Sequence, residues 1–166
     1  MSRQIYVMYA KLSHVWMRLG EEFVPPTDRF VSEVTLWVRY VETDSMRVVH
    51  HSNYIVYFEE ARSDYMRQRG ENYANFEKDG YNLVVAEANL RYLRSAVYGQ
   101  QVVVQCWIID IQSRGLTFGY EVTNPDTGEV HCTGQTRHIC VSRDGGVVRL
   151  PERWRGWASE SQRSAE

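Results

Sequence analysis

The sequence predicts an α+β fold: one long helix wrapped by a curved five-stranded antiparallel sheet, with a helical extension at the N-terminus. Three observations carry that expectation. A period-two strand pattern precedes a single amphipathic helix, residues 83 to 142 then read as β, and the connectors between the last three β segments are too short for parallel crossovers. A sheet curled around one helix buries the helix's apolar stripe and one sheet face together.

The elements follow in chain order. Ile5, Met8, Leu12, Val15, Trp16 and Leu19 recur at helical spacing and Gly20 stands where a helix closes, so residues 1–30 read as a helix and linker attached to the domain. The polar face lacks the Lys and Arg density of a membrane-surface helix, so packing on its own or a neighbouring subunit is expected. Pro25-Pro26-Thr27-Asp28 is a stiff linker, since neither proline continues a helix. The domain is placed at 31–150, followed by a tail, 151–166. That tail carries Trp154 and Trp157, then only small or polar residues that should fray.

Within the domain, residues 32–41 alternate Val34, Leu36, Val38 and Tyr40 against Glu33, Thr35, Trp37 and Arg39, the pattern of a strand with one buried face. A polar loop leads to Ser52 or Asn53 as cap of the helix. Its Tyr54, Tyr57, Phe58, Ala61, Tyr65 and Met66 share one face, and Gly70 ends it. A turn-rich stretch reaches Gly80. Strands are then expected at 83–94, 101–112, 115–123 and 129–142, with tight links at 113–115 and 124–128, as a four-strand meander.

Composition narrows the function. Nineteen Lys and Arg stand against 21 Asp and Glu, a net charge of −2, so no positive field draws a nucleic acid. Apolar runs stop well short of a membrane span and no signal-peptide order opens the chain, which predicts a soluble, cytoplasmic protein. Cys106, Cys132 and Cys140 lie singly in apolar, β-branched runs and read as buried hydrophobes. No metal is expected: His50 and His51 are adjacent and, with Glu59 or Glu60, lack ligand spacing.

The densest polar constellation lies between the first strand and the helix: Glu42, Asp44, His50, His51, Ser52 and Asn53. A carboxylate at a strand exit facing a helix N-terminus suits acyl transfer, because the unpaired amides there stabilise an oxyanion while Asp44 attacks the carbonyl or aims a water at it. Taken alone, an Asp in a loop before a helix is usually a turn or cap residue, and Asp44 reads so. Arg91 and Arg94, three apart on a strand, point to opposite faces, so at most one meets the phosphates of a nucleotide-bearing substrate across the sheet edge.

The run Tyr40-Val-Glu-Thr-Asp44-Ser-Met46-Arg-Val-Val-His-His51-Ser-Asn53-Tyr54, followed by Phe58-Glu-Glu-Ala-Arg62, resembles the signature of the hotdog-fold acyl-CoA thioesterases of the 4-hydroxybenzoyl-CoA thioesterase type. Arg91-Tyr-Leu-Arg-Ser-Ala-Val-Tyr-Gly99 is similar to that family's passage into its third strand, so the resemblance covers residues 32 to 145. It implies Asp44 as nucleophile or general base and the backbone N–H of His51 as polariser of the thioester carbonyl. Met46, Arg47, Val49, Asn53, Tyr54, Arg91 and Arg94 become the substrate-contacting candidates. It also implies a homodimer or homotetramer with the site at the subunit interface, and no metal or redox cofactor. The substrate would be an acyl-CoA, or an acyl-carrier-protein thioester, with an aromatic or a short to medium aliphatic acyl group.

One position departs from the family: Arg47 stands where glycine is usual, and either narrows the pocket or meets a negative group on the ligand. Two rival functions stay open, a hotdog dehydratase using His51 with Asp44, and a non-catalytic acyl-thioester binding protein.

Overall fold

The computed structural model describes residues 24–157, and the helix expected at 5–19 lies outside them. Strand β1 (Val31–Trp37) is followed by a one-turn 3-10 helix (Tyr40–Glu42) and by the long helix α1 (Asn53–Gln68). Helix α2 (Tyr73–Lys78) precedes β2 (Tyr81–Tyr92), β3 (Gln101–Gln112), β4 (Gly115–Thr123) and β5 (Val130–Ser142), and the short α3 (Glu152–Arg155) closes the described chain. The five strands form one antiparallel sheet, as expected, and α1 lies against its inner face.

Three expectations need correction. The first strand stops at Trp37 and not at residue 41, because the chain turns into the 3-10 helix and leaves Tyr40 and Val41 exposed. The stretch after Gly70 is not only turns: Asn72 accepts the backbone N–H of Asn75 at 2.8 Å and so caps α2, which buries Phe76. Nor do the last four strands run as a meander. The strand order is β1-β3-β4-β5-β2, so only β3, β4 and β5 follow one another, and β2 pairs with β5 at the far edge. The cause is the connector 93–100. Its backbone bonds go sideways, from Val49 N to Ala96 O and from Gly99 N to Val38 O, so it crosses the mouth of the sheet instead of turning back.

Inside, Tyr54, Tyr57, Phe58, Ala61, Tyr65 and Met66 of α1 meet Val102, Val104, Cys106 and Ile108 of β3 and Leu116, Phe118, Tyr120 and Val122 of β4. All three cysteines are free and buried, as their apolar contexts predict. Arg62 is buried on the same helix, its guanidinium held by the hydroxyls of Tyr73 and Tyr120. At the open end of the core Trp154 stacks on Phe76 (4.3 Å) and on Trp157 (4.8 Å).

Phe58 stacks flat on Tyr120, with centroids 4.2 Å apart, and this packing needs Gly134 beside it. A Cβ at residue 134 would stand 2.6 Å from the carbonyl oxygen of Asn89 and 2.8 Å from the Phe58 ring. Gly134→Ala should therefore lower stability by about 1–3 kcal/mol, read as a shifted denaturant midpoint at unchanged slope.

Candidate active site

The site grows from the loop that leaves the 3-10 turn. Asp44 N donates to Val48 O and Arg47 N donates to Asp44 O, each at 2.9 Å, closing a tight turn. Asp44 Oδ1 accepts the backbone N–H of Met46 at 2.8 Å, an Asx turn that fixes the carboxylate. Both readings of Asp44 therefore hold together: one oxygen builds the turn. The other has no hydrogen-bond partner among the described residues.

Arg47 completes this turn at φ 63°, the only non-glycine residue at positive φ among those described. That is the conformation glycine adopts readily, at a cost of roughly 1–2 kcal/mol for a residue with a Cβ. The arginine thus keeps the backbone path that glycine would give.

On the facing side the helix starts. Glu42 O accepts the N–H of His50 and the side-chain amide of Asn53, both at 2.8 Å. Ser52 sits at the N-cap position, but its hydroxyl meets His50 Nδ1 at 2.8 Å and makes no capping bond, contrary to the expected role. The N–H groups of Ser52 and Asn53 donate back to His50, to Nδ1 and to the carbonyl oxygen. Among the described residues nothing accepts from the N–H of His51. Its carbonyl oxygen accepts the Tyr92 hydroxyl at 3.2 Å, and its exposed ring lies over that of His50 at 4.1 Å.

Asp44 and His51 line one pocket of about 120 Å³, with Met46, Val48, Val49, Tyr54, Tyr92, Arg94 and Ser95. Three side chains and one backbone amide thus meet at one opening: the loop supplies the Asp44 carboxylate and, just before α1, the His51 amide, α1 supplies Tyr54, and the end of β2 the Tyr92 ring, 5.5 Å from that of Tyr54. Of the sequence candidates, Met46, Val49, Tyr54 and Arg94 line it. Arg47, Asn53 and Arg91 do not, and Asn53 is engaged by Glu42. Arg91 neighbours Tyr92 on β2 and so takes the opposite face, which leaves Arg94 at the pocket, half-exposed and 3.3 Å from Glu129.

Sequence reasoning left out Val48, Tyr92 and Ser95. Val48 reaches the pocket because it bridges Val97 on the crossing connector, a contact the assumed meander hides. A larger recess of about 180 Å³ at the β3–β4 hairpin is lined by Arg114 and Arg137 and has no carboxylate. Among the described residues no three His, Cys, Asp or Glu side chains group as metal ligands, and no helix is long and apolar enough to cross a membrane.

Beneath the pocket lies Glu42, only 3% exposed. Burial opposes its charge, yet the Arg39 amide, the Tyr57 hydroxyl and the Arg39 guanidinium outweigh burial and hold the carboxyl below its ordinary range. The Tyr57 phenol moves up, through burial first and then the Glu42 carboxylate.

The comparisons with known proteins agree with this geometry. Residues 38–158 match the family model described as the thioesterase-like superfamily. The candidate acyl-CoA thioesterase YneP of Bacillus subtilis is 36% identical over 114 residues, covering 69% of this chain and 82% of that protein. Among solved structures, a DHNA-CoA thioesterase from Staphylococcus aureus is 35% identical with a TM-score of 0.72, over 78% of this chain and 87% of that one. The protein TT1821 from Thermus thermophilus is 36% identical with the same TM-score of 0.72, over 77% and 98%. With a strand, loop and helix placing a carboxylate across from an open amide, and with the family match running through the loop, the helix and the four strands that follow, the chain belongs to the thioesterase-like superfamily, has its hotdog fold, and is an enzyme of the thioesterase class.

Proposed function

We propose that the protein hydrolyses acyl-CoA thioesters to a free acid and CoA in the pocket between Asp44 and His51. One observation carries the reading: a carboxylate with one oxygen uncommitted among the described residues and a backbone N–H with no acceptor among them line the same small, largely apolar recess. The thioester carbonyl oxygen takes the N–H of His51, which stabilises the charge that develops there, a contribution of about 10²–10³ in rate for one donor.

Asp44 then acts in one of two ways. As nucleophile, its free oxygen bonds to the acyl carbon, the C–S bond breaks with the sulfur leaving as CoA thiolate, and water hydrolyses the resulting anhydride. As general base, it takes a proton from water while the water oxygen bonds to the acyl carbon, and the C–S bond then breaks with the sulfur leaving as CoA thiolate, which takes up a proton. Both routes need the carboxylate charged.

The acyl group fits the walls. Met46, Val48, Val49, Tyr54 and Tyr92 offer apolar and aromatic surface, and about 120 Å³ matches a single aromatic ring or a short aliphatic chain. Arg94 at the rim suits a phosphate of CoA. Strand β2 supports a dimer: it is a 12-residue edge strand with Val84 and Val85 about half exposed, and a second copy pairing along it would cover them. Tyr92 ends that strand, so the partner would stand beside the pocket.

Thiol release from a panel of aromatic and aliphatic acyl-CoAs, with the free acid quantified, tests the reading. Equal amounts of thiol and acid are expected. Binding of the esters without thiol release would make it a binding protein, and loss of water from a hydroxyacyl ester without thiol would make it a dehydratase. His51→Ala, which keeps the amide and removes only an exposed ring, should retain turnover to within about tenfold. A loss as large as that of the carboxylate would assign the ring, and not the amide, to the chemistry.

A further inference from the structure

Glu42 ends a 3-10 turn whose other residues, Tyr40 and Val41, face solvent, yet it is 3% exposed and its hydrogen-bonding capacity is filled on every side. Its Oε2 accepts the Arg39 N–H and the Tyr57 hydroxyl, each at 2.8 Å. Its Oε1 accepts Arg39 Nε at 2.8 Å and pairs with the second guanidinium nitrogen at 2.7 Å. Its backbone carbonyl takes His50 N and Asn53 Nδ2, both at 2.8 Å. Partners on the strand exit and on the first turn of α1 are thus joined through one residue, two positions before Asp44 and next to the turn that carries His51.

We propose that Glu42 is a positioning residue for the hydrolysis, a clamp that fixes the span between the Asp44 carboxylate and the His51 amide. The inference rests on the function proposed above and adds a residue that touches no substrate, since Glu42 is absent from the pocket wall. A buried carboxylate persists only when paired and fully hydrogen-bonded, and an apolar side chain of similar size packs at least as stably. What the carboxylate adds is direction: Tyr57 sits one turn into α1 and Arg39 at the exit of β1, so its two oxygens set how far apart those elements stand. The loop bearing Asp44 hangs from one and the amide from the other. A displacement of about 1 Å between reacting groups costs up to about a hundredfold in rate.

The test uses Glu42→Ala, Glu42→Gln, Tyr57→Phe and the double variant Glu42→Ala with Tyr57→Phe, with kcat, KM and melting temperature for each. Glu42→Ala should lower kcat roughly ten- to a hundredfold while KM stays within about threefold. Glu42→Gln should restore most of the rate, because its amide oxygen still accepts from Arg39 N and Tyr57. Tyr57→Phe should slow turnover in the same sense, and the double variant should be no slower than Glu42→Ala, as expected of two residues acting through one bond.

A folded Glu42→Ala enzyme with unchanged kcat would overturn the clamp. So would a loss confined to KM, or effects that multiply in the double variant. Should Glu42→Ala fail to fold, Tyr57→Phe decides, since a folded Tyr57→Phe enzyme with unchanged kcat also overturns it. Asp44→Asn serves as the separate control. Turnover that depends on Asp44 but ignores Glu42 rejects the clamp alone, whereas absence of thiol release from the unmodified protein rejects the hydrolysis and the clamp together.

Discussion

Asp44→Asn is expected to lower thiol release by at least about a hundredfold, a loss of about 2.7 kcal/mol or more in transition-state stabilisation. The substitution is a clean one because of the Asx turn. An asparagine side-chain oxygen still accepts the Met46 N–H at 2.8 Å, so the turn through Arg47 and the opposing helix start keep their places. What disappears is the charge on the second oxygen, and with it both the nucleophile and the base. Steady-state kinetics beside a thermal melt separates the two effects: kcat should collapse, the melting temperature should hold, and KM should change little. A variant that keeps more than about a tenth of the rate would remove Asp44 from the chemistry and leave it as a turn residue.

Acidification below neutral pH should weaken the fold, and His138 is the main cause. It lies in β5 at 1% exposure, edge-on to Phe118 at 5.5 Å. Its Nε2 meets Thr136 Oγ1 at 2.8 Å, and that hydroxyl meets Tyr120, while Nδ1 has no partner among the described residues. Burial, and then the Arg62 guanidinium, push its pKa from 6.5 down to about 3. The native ring therefore stays neutral where the unfolded ring takes a proton. Stability is complete above pH 6.5 and falls as pH drops from there toward 3, at up to ~1.4 kcal/mol per pH unit.

Over the whole window this approaches ~5 kcal/mol, comparable to the total stability of many small domains. His131, also buried and also shifted downward by burial, adds in the same direction. Urea unfolding at pH 7, 6 and 5 should show a steep decline in the unmodified protein and a shallower one in His138→Gln, whose amide can still reach Thr136. Identical slopes in the two proteins would show that His138 does not drive the acid sensitivity.

Much of this structure is legible in the sequence, for reasons that differ by element. The bounds of β3 and β4 coincide with the expected ranges because Val102, Val104, Cys106 and Ile108 of β3 and Leu116, Phe118, Tyr120 and Val122 of β4 recur at period two, the irregularity between Ile108 and Asp110 shifts the register without ending β3, and the ends are set by glycine and by the Asn124 turn. The face of α1 is legible because every apolar residue of the stripe is buried. Helix α2 is not, since it is too short to show a period and buries one side chain, Phe76.

The place of β2 is hidden for another reason. Strand order depends on which partner the connector 93–100 finds, and its partners, Val38, Val48 and Val49, lie far back in the chain. In the site, a carboxylate facing a helix start is legible from spacing, because eight residues of loop must return the chain to that helix, whereas His51 as the amide donor is what the family resemblance implies. The roles of Glu42 and Tyr92 are not legible. A glutamate in a polar loop reads as a solvated charge until Tyr57 is seen to cover it, and Tyr92 reaches His51 only because β2 ends at the mouth of the pocket.

The structure of Asp44→Asn soaked with an intact acyl-CoA identified by the thiol-release panel tests the central claim most directly. The thioester carbonyl oxygen should lie about 2.7–3.1 Å from the N–H of His51, with the carbonyl carbon facing the side chain at position 44 and the acyl group between Tyr54 and Tyr92. A thioester bound with its carbonyl turned away from that amide, or seated in the recess beside Arg114 and Arg137, would contradict it.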